Sequence, residues 1–238
     1  MATFTTRIRI TAAAIAFTVI PVALAPAAGA QNAPVICDGR VATIVGTPGN
    51  DSLRGTDGPD VIAGLQGDDI IRGLGGDDII CGGQGDDLLL GGQGFDIMFG
   101  AQGDDGMYAA DFQKADTAGS RMFGGAGNDF MMGSDKWDRM QGGPGEDILE
   151  GFEGRDWLRG GADRDSVSGG PGIDDVHGGN GGDFLDIEGN DTVRGGAGND
   201  ICARYFNPVN PQVRSCESTF TASADNEASA LSFRALFE

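Results

Sequence analysis

Aspartate recurs about every nine residues through most of this 238-residue chain, closing a glycine-rich stretch each time. The series is Asp51, Asp60, Asp69, Asp78, Asp87, Asp96 and Asp105, then Asp129, Asp138, Asp147, Asp156, Asp165, Asp174, Asp183, Asp191 and Asp200. Two places after each stands an apolar residue: Leu53, Ile62, Ile71, Ile80, Leu89, Met98 and Met107, then Met131, Met140, Leu149, Leu158, Val167, Val176, Leu185, Val193 and Cys202. The unit is Gly-Gly-x-Gly-x-Asp-x-apolar-x, repeated about sixteen times; residues 82–90 read GGQGDDLLL, 142–150 GGPGEDILE and 195–203 GGAGNDICA. Carboxylates in such numbers either hold cations or work in pairs as acid and base, and their spacing decides which.

Self-similarity at a fixed short period means a solenoid, because one unit cannot bury its own apolar face and must stack on neighbours. Three residues with the middle one buried form a very short strand. The six before them hold up to three glycines, which enter positive φ without steric cost and so make a tight turn. Two units complete one flattened coil, and successive coils stack as parallel strands roughly 4.8 Å apart. The Asp of one unit then lies above the Asp two units on, in two columns.

Like charges roughly 5 Å apart at an effective dielectric near 20 repel by about 3 kcal/mol per pair. Several such pairs rival a domain's whole net stability of roughly 5 to 15 kcal/mol. Lysine and arginine are too few and too scattered to neutralise them, with Lys114 and Lys136 the sole lysines. Ca²⁺ takes six to eight oxygens from carboxylates and carbonyls, and two facing glycine-rich turns supply both. Asp also favours ordinary Asx turns, but recurrence at one phase argues for repeated ion sites over solvated turns.

With these residues in view, the repeat resembles that of the RTX (repeats-in-toxin) calcium-binding proteins, and the opening at residues 42–83 is similar to secreted actinobacterial members. The resemblance covers about two-thirds of the chain. It implies an all-β fold, a parallel β-roll solenoid, with multiple Ca²⁺ shared between turns two units apart. The implied ligands are the sixth-position aspartates named above and turn carbonyls, among them those of Gly64, Gly73, Gly82, Gly91, Gly142, Gly169, Gly178 and Gly195.

Departures from the pattern mark weaker sites. A one-residue deletion precedes the unit that opens at Asp186, and position four is Lys136 in one unit and Asp163 in another. Pairing units two apart gives roughly five plus seven sites as an upper bound. Residues 115–123 read back from Gly124 as a degenerate unit with Met122 inward, leaving 109–114 as an insertion. The roll either continues through this break or splits into two lobes.

Residues 1–30 carry Arg7 and Arg9, then an apolar run, then Ala28-Gly29-Ala30, the pattern of a secretory signal peptide cleaved after Ala30. Its removal takes away two arginines and no acids, moving the formal charge from −20 to −22. So acidic a surface opposes nucleic acid and anionic membranes, and with few large apolar residues it predicts folding coupled to metal. The expected organisation is a leader at 1–30, an N-terminal cap at 31–45, seven repeats at 46–108, the insertion and degenerate repeat at 109–123, nine repeats at 124–203 and a C-terminal cap and tail at 204–238, ending in a short helix over 230–238.

In an exported chain, four cysteines read as disulfides. Cys202 with Cys216 is the natural bridge. Cys37 with Cys81 is the favoured second pair, although stacked coils would hold them roughly 10 Å apart, past the usual reach of about 7 Å, unless the cap folds back. Outward positions of the first block carry Val61, Ile70, Ile79, Leu88, Leu90, Ile97 and Phe99 as exposed apolar surface, explained by β propensity or by a partner. His177, the lone histidine, reads as an exposed strand residue, and no His-Glu-x-x-His or Gly-x-Ser-x-Gly motif is present. The reading is a secreted, non-catalytic calcium-binding module with no nucleic-acid partner and no membrane insertion. Self-association or a cell-surface partner as an adhesin or surface-layer component is the alternative, and a polysaccharide-acting enzyme the third.

Overall fold

The computed structural model describes residues 33–110, 118–188, 190–205, 213, 214, 216 and 218–222. The leader expected at 1–30 and the helix expected over 230–238 lie outside the described residues, as does most of the tail.

Each coil closes after 18 residues, so strands pair in parallel and in register at that offset. Leu53 pairs with Ile71 and Ile71 with Leu89 on one side, and Ile62 with Ile80 and Ile80 with Met98 on the other. Among the described residues two ten-stranded sheets result, the first running from Ser52–Arg54 to Ser218–Ala222 and the second from Ile44–Val45 to Val213–Arg214. Alternation along each strand sends the eighth-position side chains between the sheets. From Ile62 to Cys202 that ladder is at most 1% exposed and forms one continuous core. The fold is therefore a parallel β-solenoid.

Many strands are longer than the three residues expected. Val61–Gln66 and Ile79–Gln84 each run six, because the first positions of the next unit also pair, Leu65 with Gly83 and Gln66 with Gln84. Backbone ladders thus extend into the turns, leaving few amides unpaired as coils stack.

The roll runs through the break without losing register. Met107 pairs with Leu89 behind it and Met131 ahead, and Met98 pairs with Met122, although the offset rises to 24 residues. At the deletion near Asp191 it falls to 17 and pairing again continues. Pairing resumes in phase on the far side of both irregularities, since a slip of one residue would turn every inward side chain outward. Met98, Met107, Met122, Met131 and Met140 line the core around the break, where an unbranched, adaptable side chain fills uneven gaps.

The N-terminal cap is a hairpin, Ile36–Cys37 against Arg40–Val41, turned by Asp38 and Gly39 at φ 48° and 75°. Two positive φ values define the two-residue turn that Asp-Gly favours. The hairpin folds back over the second sheet, bringing Cys37 to a Cα separation of 6.0 Å from Cys81, and the two form a disulfide. Ile79, expected on the exposed face, is instead buried at 3% exposure, in one of the two strands that the hairpin covers. Cys202 and Cys216 form the second disulfide, and Ile201–Tyr205 pairs with Ser218–Ala222 to extend the first sheet.

At Gly85, in position four of its turn, φ is 120° and a Cβ would lie 2.6 Å from the Gly67 carbonyl carbon of the coil below. At Gly106, on the outer face, the nearest atom to such a Cβ is Leu88 Cδ1 at 3.4 Å. Urea unfolding in saturating calcium is accordingly expected to show Gly85→Ala destabilised by about 2 kcal/mol or more and Gly106→Ala within about 0.5 kcal/mol of the parent.

Candidate metal centre

Every sixth-position aspartate enters a ladder, through its amide, its carboxylate or both. The amide of Asp51 donates to Asp69 Oδ1 at 2.7 Å, that of Asp69 to Asp87 Oδ1 at 2.8 Å and that of Asp87 to Asp105 Oδ1 at 2.9 Å. The column continues through Asp129, Asp147, Asp165 and Asp183 to Asp200. On the other edge Asp60, Asp78 and Asp96 form one run and Ser120, Asp138, Asp156, Asp174 and Asp191 another. Ser120 takes the Asp position of the degenerate unit, a substitution visible in the sequence once residues 115–123 are read in phase but not singled out there. The serine has no carboxylate to give, so this column is broken where the other is whole.

From Asp69 onward Oδ1 thus accepts a backbone amide, and the second oxygen defines the site. In Asp69, Asp78, Asp87, Asp105, Asp129, Asp147, Asp156, Asp165, Asp174, Asp183 and Asp200, Oδ2 is buried without a hydrogen-bond partner. In Asp69, Asp78, Asp105, Asp147, Asp156 and Asp183 it lies beside the first glycine of its own unit together with a carbonyl of the next coil. A Cβ on Gly151 would lie 2.6 Å from both Asp156 Oδ2 and the Gly169 carbonyl oxygen. Two electron-rich oxygens therefore converge with no donor between them, which costs several kcal/mol unless a proton or a cation lies there.

Other turns solve the same problem internally. Thr47 donates its amide and hydroxyl to Asp51 Oδ2 at 2.6 and 3.0 Å, and Thr56 does so to Asp60 at 2.7 and 2.9 Å. Ser134 repeats the arrangement on Asp138 at 2.7 and 3.1 Å, and the Glu188 amide serves Asp191 Oδ2 at 3.0 Å. Position two separates the classes. It is Thr or Ser in the three hydroxyl-capped turns, whereas in every turn with an unpartnered Oδ2 it has positive φ, including the non-glycine residues Leu65, Leu74, Ala101 and Phe152. Sequence reasoning overlooked this position, although Thr47, Thr56 and Ser134 are legible as local hydroxyl donors.

In Asp78, Asp87, Asp105, Asp129, Asp147, Asp156, Asp165 and Asp174 burial raises the carboxyl first, the backbone amide on Oδ1 lowers it, and neighbouring carboxylates raise it again. Asp78, Asp87 and Asp129 rise to about 6, Asp105, Asp147 and Asp174 to about 7, and Asp156 and Asp165 to about 8, from an ordinary 3.8. The metal-free fold therefore holds protons that the unfolded chain has already lost. No three His, Cys, Asp or Glu side chains converge to hold a metal among the described residues. The oxygens that converge with Oδ2 of Asp69, Asp156 and Asp183 are the backbone carbonyls of Gly82, Gly169 and Gly195. That all-oxygen set fits calcium, a hard cation with flexible coordination.

Fold and site together define a cation-binding β-roll with its charges stacked along both edges. Compared with known families, the chain matches the RTX calcium-binding nonapeptide repeat (4 copies) over residues 45–80, 54–89, 82–112, 123–156, 132–167, 150–185 and 188–203. These matches span more than half of the chain, which belongs to this family and binds Ca²⁺. A comparison with curated proteins returns no match. Among solved structures it is similar to a hyperactive, Ca²⁺-dependent, β-helical antifreeze protein from an Antarctic bacterium, at 19% identity over 65% of this chain and 71% of that one, with a TM-score of 0.35.

Two outcomes follow for the site. Asp147→Asn, at an unpartnered Oδ2, is expected to remove calcium from the calorimetric stoichiometry, whereas Asp138→Asn, at a hydroxyl-capped one, leaves the stoichiometry unchanged. Because the folded pKa values lie above the unfolded one, chelated protein binds more protons folded than unfolded between pH about 4 and 8. Its stability is complete below pH 4 and falls as pH rises through 6 to 8. Circular dichroism in chelator is expected to show β structure at pH 4.5, lost by pH 8 and restored there by calcium.

Proposed function

We propose that the chain is a secreted, non-catalytic calcium-binding module whose roll assembles as the Asp columns take up Ca²⁺, so that folding follows export into a calcium-rich medium. The observation that carries this reading is the row of buried, unpartnered Oδ2 atoms, of which those of Asp69, Asp78, Asp105, Asp147, Asp156 and Asp183 converge with a carbonyl of the next coil. At neutral pH the metal-free roll must either keep those carboxyls protonated or separate its coils. The cation offsets both costs, and its binding energy becomes folding energy.

The ligands we assign are the aspartates with an unpartnered Oδ2 together with position-one glycine carbonyls, and the capped turns of Asp51, Asp60 and Asp138 stay cation-free. Residues 1–30 serve as the leader, 31–45 and 204–238 as caps, and 46–203 as the calcium-loaded body. The absence of catalysis is favoured by how the carboxylates are used. Their Oδ1 atoms are held by amides and their Oδ2 atoms face backbone, so neither is presented to a substrate. His177 sits on the outer face, hydrogen-bonded to Asp175 at 3.1 Å and in contact with Arg194.

A calcium titration of the mature chain at pH 7.5, followed by far-ultraviolet circular dichroism with magnesium as control, is expected to give a cooperative coil-to-β transition with several ions bound. Magnesium, which demands octahedral geometry and gives up water reluctantly, is expected not to reproduce it. A β spectrum indifferent to calcium and to chelator overturns the reading.

A further inference from the structure

The outer face of the first sheet changes character in order from coil to coil. Position nine reads Arg54, Arg72, Leu90, Tyr108, Met132, Glu150, Ser168 and Asp186, each in register with the next. Position seven, on the same face, reads Ser52, Ile70, Leu88, Gly106, Phe130 and Ile148. The face is thus basic at its start, apolar in the middle and acidic beyond. Arg54 and Arg72 are exposed and unpaired, for among the described residues the ion pairs are those of Arg194 and His177 with Asp175. Like charges directly opposite each other weaken a sheet, so stability does not explain that rung. Glu150 is half-buried and accepts a hydrogen bond from the Ser168 hydroxyl at 3.2 Å, with no cation paired to it. Burial lifts its carboxyl to about 7 against that hydrogen bond, and Glu188 lifts it further.

We propose that this face is the contact between two copies of the chain, packed sheet to sheet about a two-fold axis parallel to the strands at the Gly106–Tyr108 rung. Such an axis reverses the order of the coils and sets each column over its own counterpart. Arg72 of one copy then meets Glu150 of the other, and Arg54 meets Ser168. Between the charged ends Leu90 meets Met132, Ile70 meets Ile148 and Leu88 meets Phe130, while the facing Gly106 residues leave room at the centre. A two-fold contact must be complementary to itself. A face that runs from basic through apolar to acidic meets that condition when one copy is reversed, and not when the two lie in the same direction.

The inference rests on the chain being a calcium-loaded module, since calcium in the edge columns offsets the net negative charge that otherwise keeps two copies apart. The test is sedimentation velocity of the calcium-loaded mature chain from low to high micromolar concentration, and circular dichroism of the same samples keeps the two ideas apart. A monomer–dimer equilibrium is expected. Arg72→Glu and Glu150→Arg, both at outward positions, each set like charges together twice per dimer and are expected to weaken it at least tenfold. Mixing the two variants is expected to restore it, because each Arg72–Glu150 contact then joins opposite charges again. Within one chain the two residues lie four coils, roughly 19 Å, apart, so rescue by mixing reports a contact between copies. Arg159→Glu, on the other sheet, is expected to leave the equilibrium unchanged. A chain that folds in calcium yet stays monomeric, with the face left to its own tail or to another protein, overturns this inference alone. So does a dimer that the two charge reversals leave intact, or one that mixing does not restore.

Discussion

Stacking identical turns one coil apart forces their carboxylates into columns, and everything else in this structure answers that constraint. Parallel in-register pairing brings each Asp over its counterpart and seals it from water, with Asp96, Asp191 and Asp200 reaching zero exposure. Each column is held by a backbone amide on one oxygen of every carboxylate, which fixes the geometry without neutralising the charge. In the turns whose second oxygen has no hydroxyl cap, a proton or a cation completes the turn. The same contacts that make the roll regular thus make it depend on its ionic surroundings.

The turns meet this demand in two ways, and position two selects between them. A Thr or Ser at negative φ donates amide and hydroxyl inward and leaves the carboxylate satisfied. A residue in the left-handed region leaves it open, even where Leu65 or Phe152 must bear a conformation that costs a residue with a Cβ about 1 kcal/mol or more. Two of the three hydroxyl-capped turns lie in the first two repeats, at the end of the roll where a coil has a neighbour on one side only. Satisfying those carboxylates internally lets the end of the roll form without an ion shared from outside.

The two sheet faces carry different chemistry on the same scaffold. The first displays mainly aliphatic and aromatic residues such as Ile70, Tyr108 and Phe130, while the second is covered by the cap at its start and becomes cationic and aromatic beyond the break. Positions seven and nine face outward in every unit and take no part in the core or the ion columns. They are therefore free to vary, and a repeat that is rigid in its first six positions and its eighth can still present a specific surface.

The fold was legible in the sequence because its determinants are periodic: the apolar eighth position fixes the core ladder, and the sixth-position Asp and preceding glycines fix the turn. Continuity through residues 109–123 was not, since a count that breaks is compatible with one roll or two, and only the pairing of Met98 with Met122 and Met107 with Met131 decided it. The Asp-Gly pair at 38–39 signalled a hairpin that a repeat-based reading passed over. That fold-back, which brings Cys37 to Cys81 and buries Ile79, depends on where the cap lands in space. Likewise the sequence by itself determined that carboxylates would stack. Only the tertiary structure decided which were left open for an ion and which were closed by Thr47, Thr56 or Ser134, because that depends on the backbone dihedral at position two and on a carbonyl contributed by the next coil.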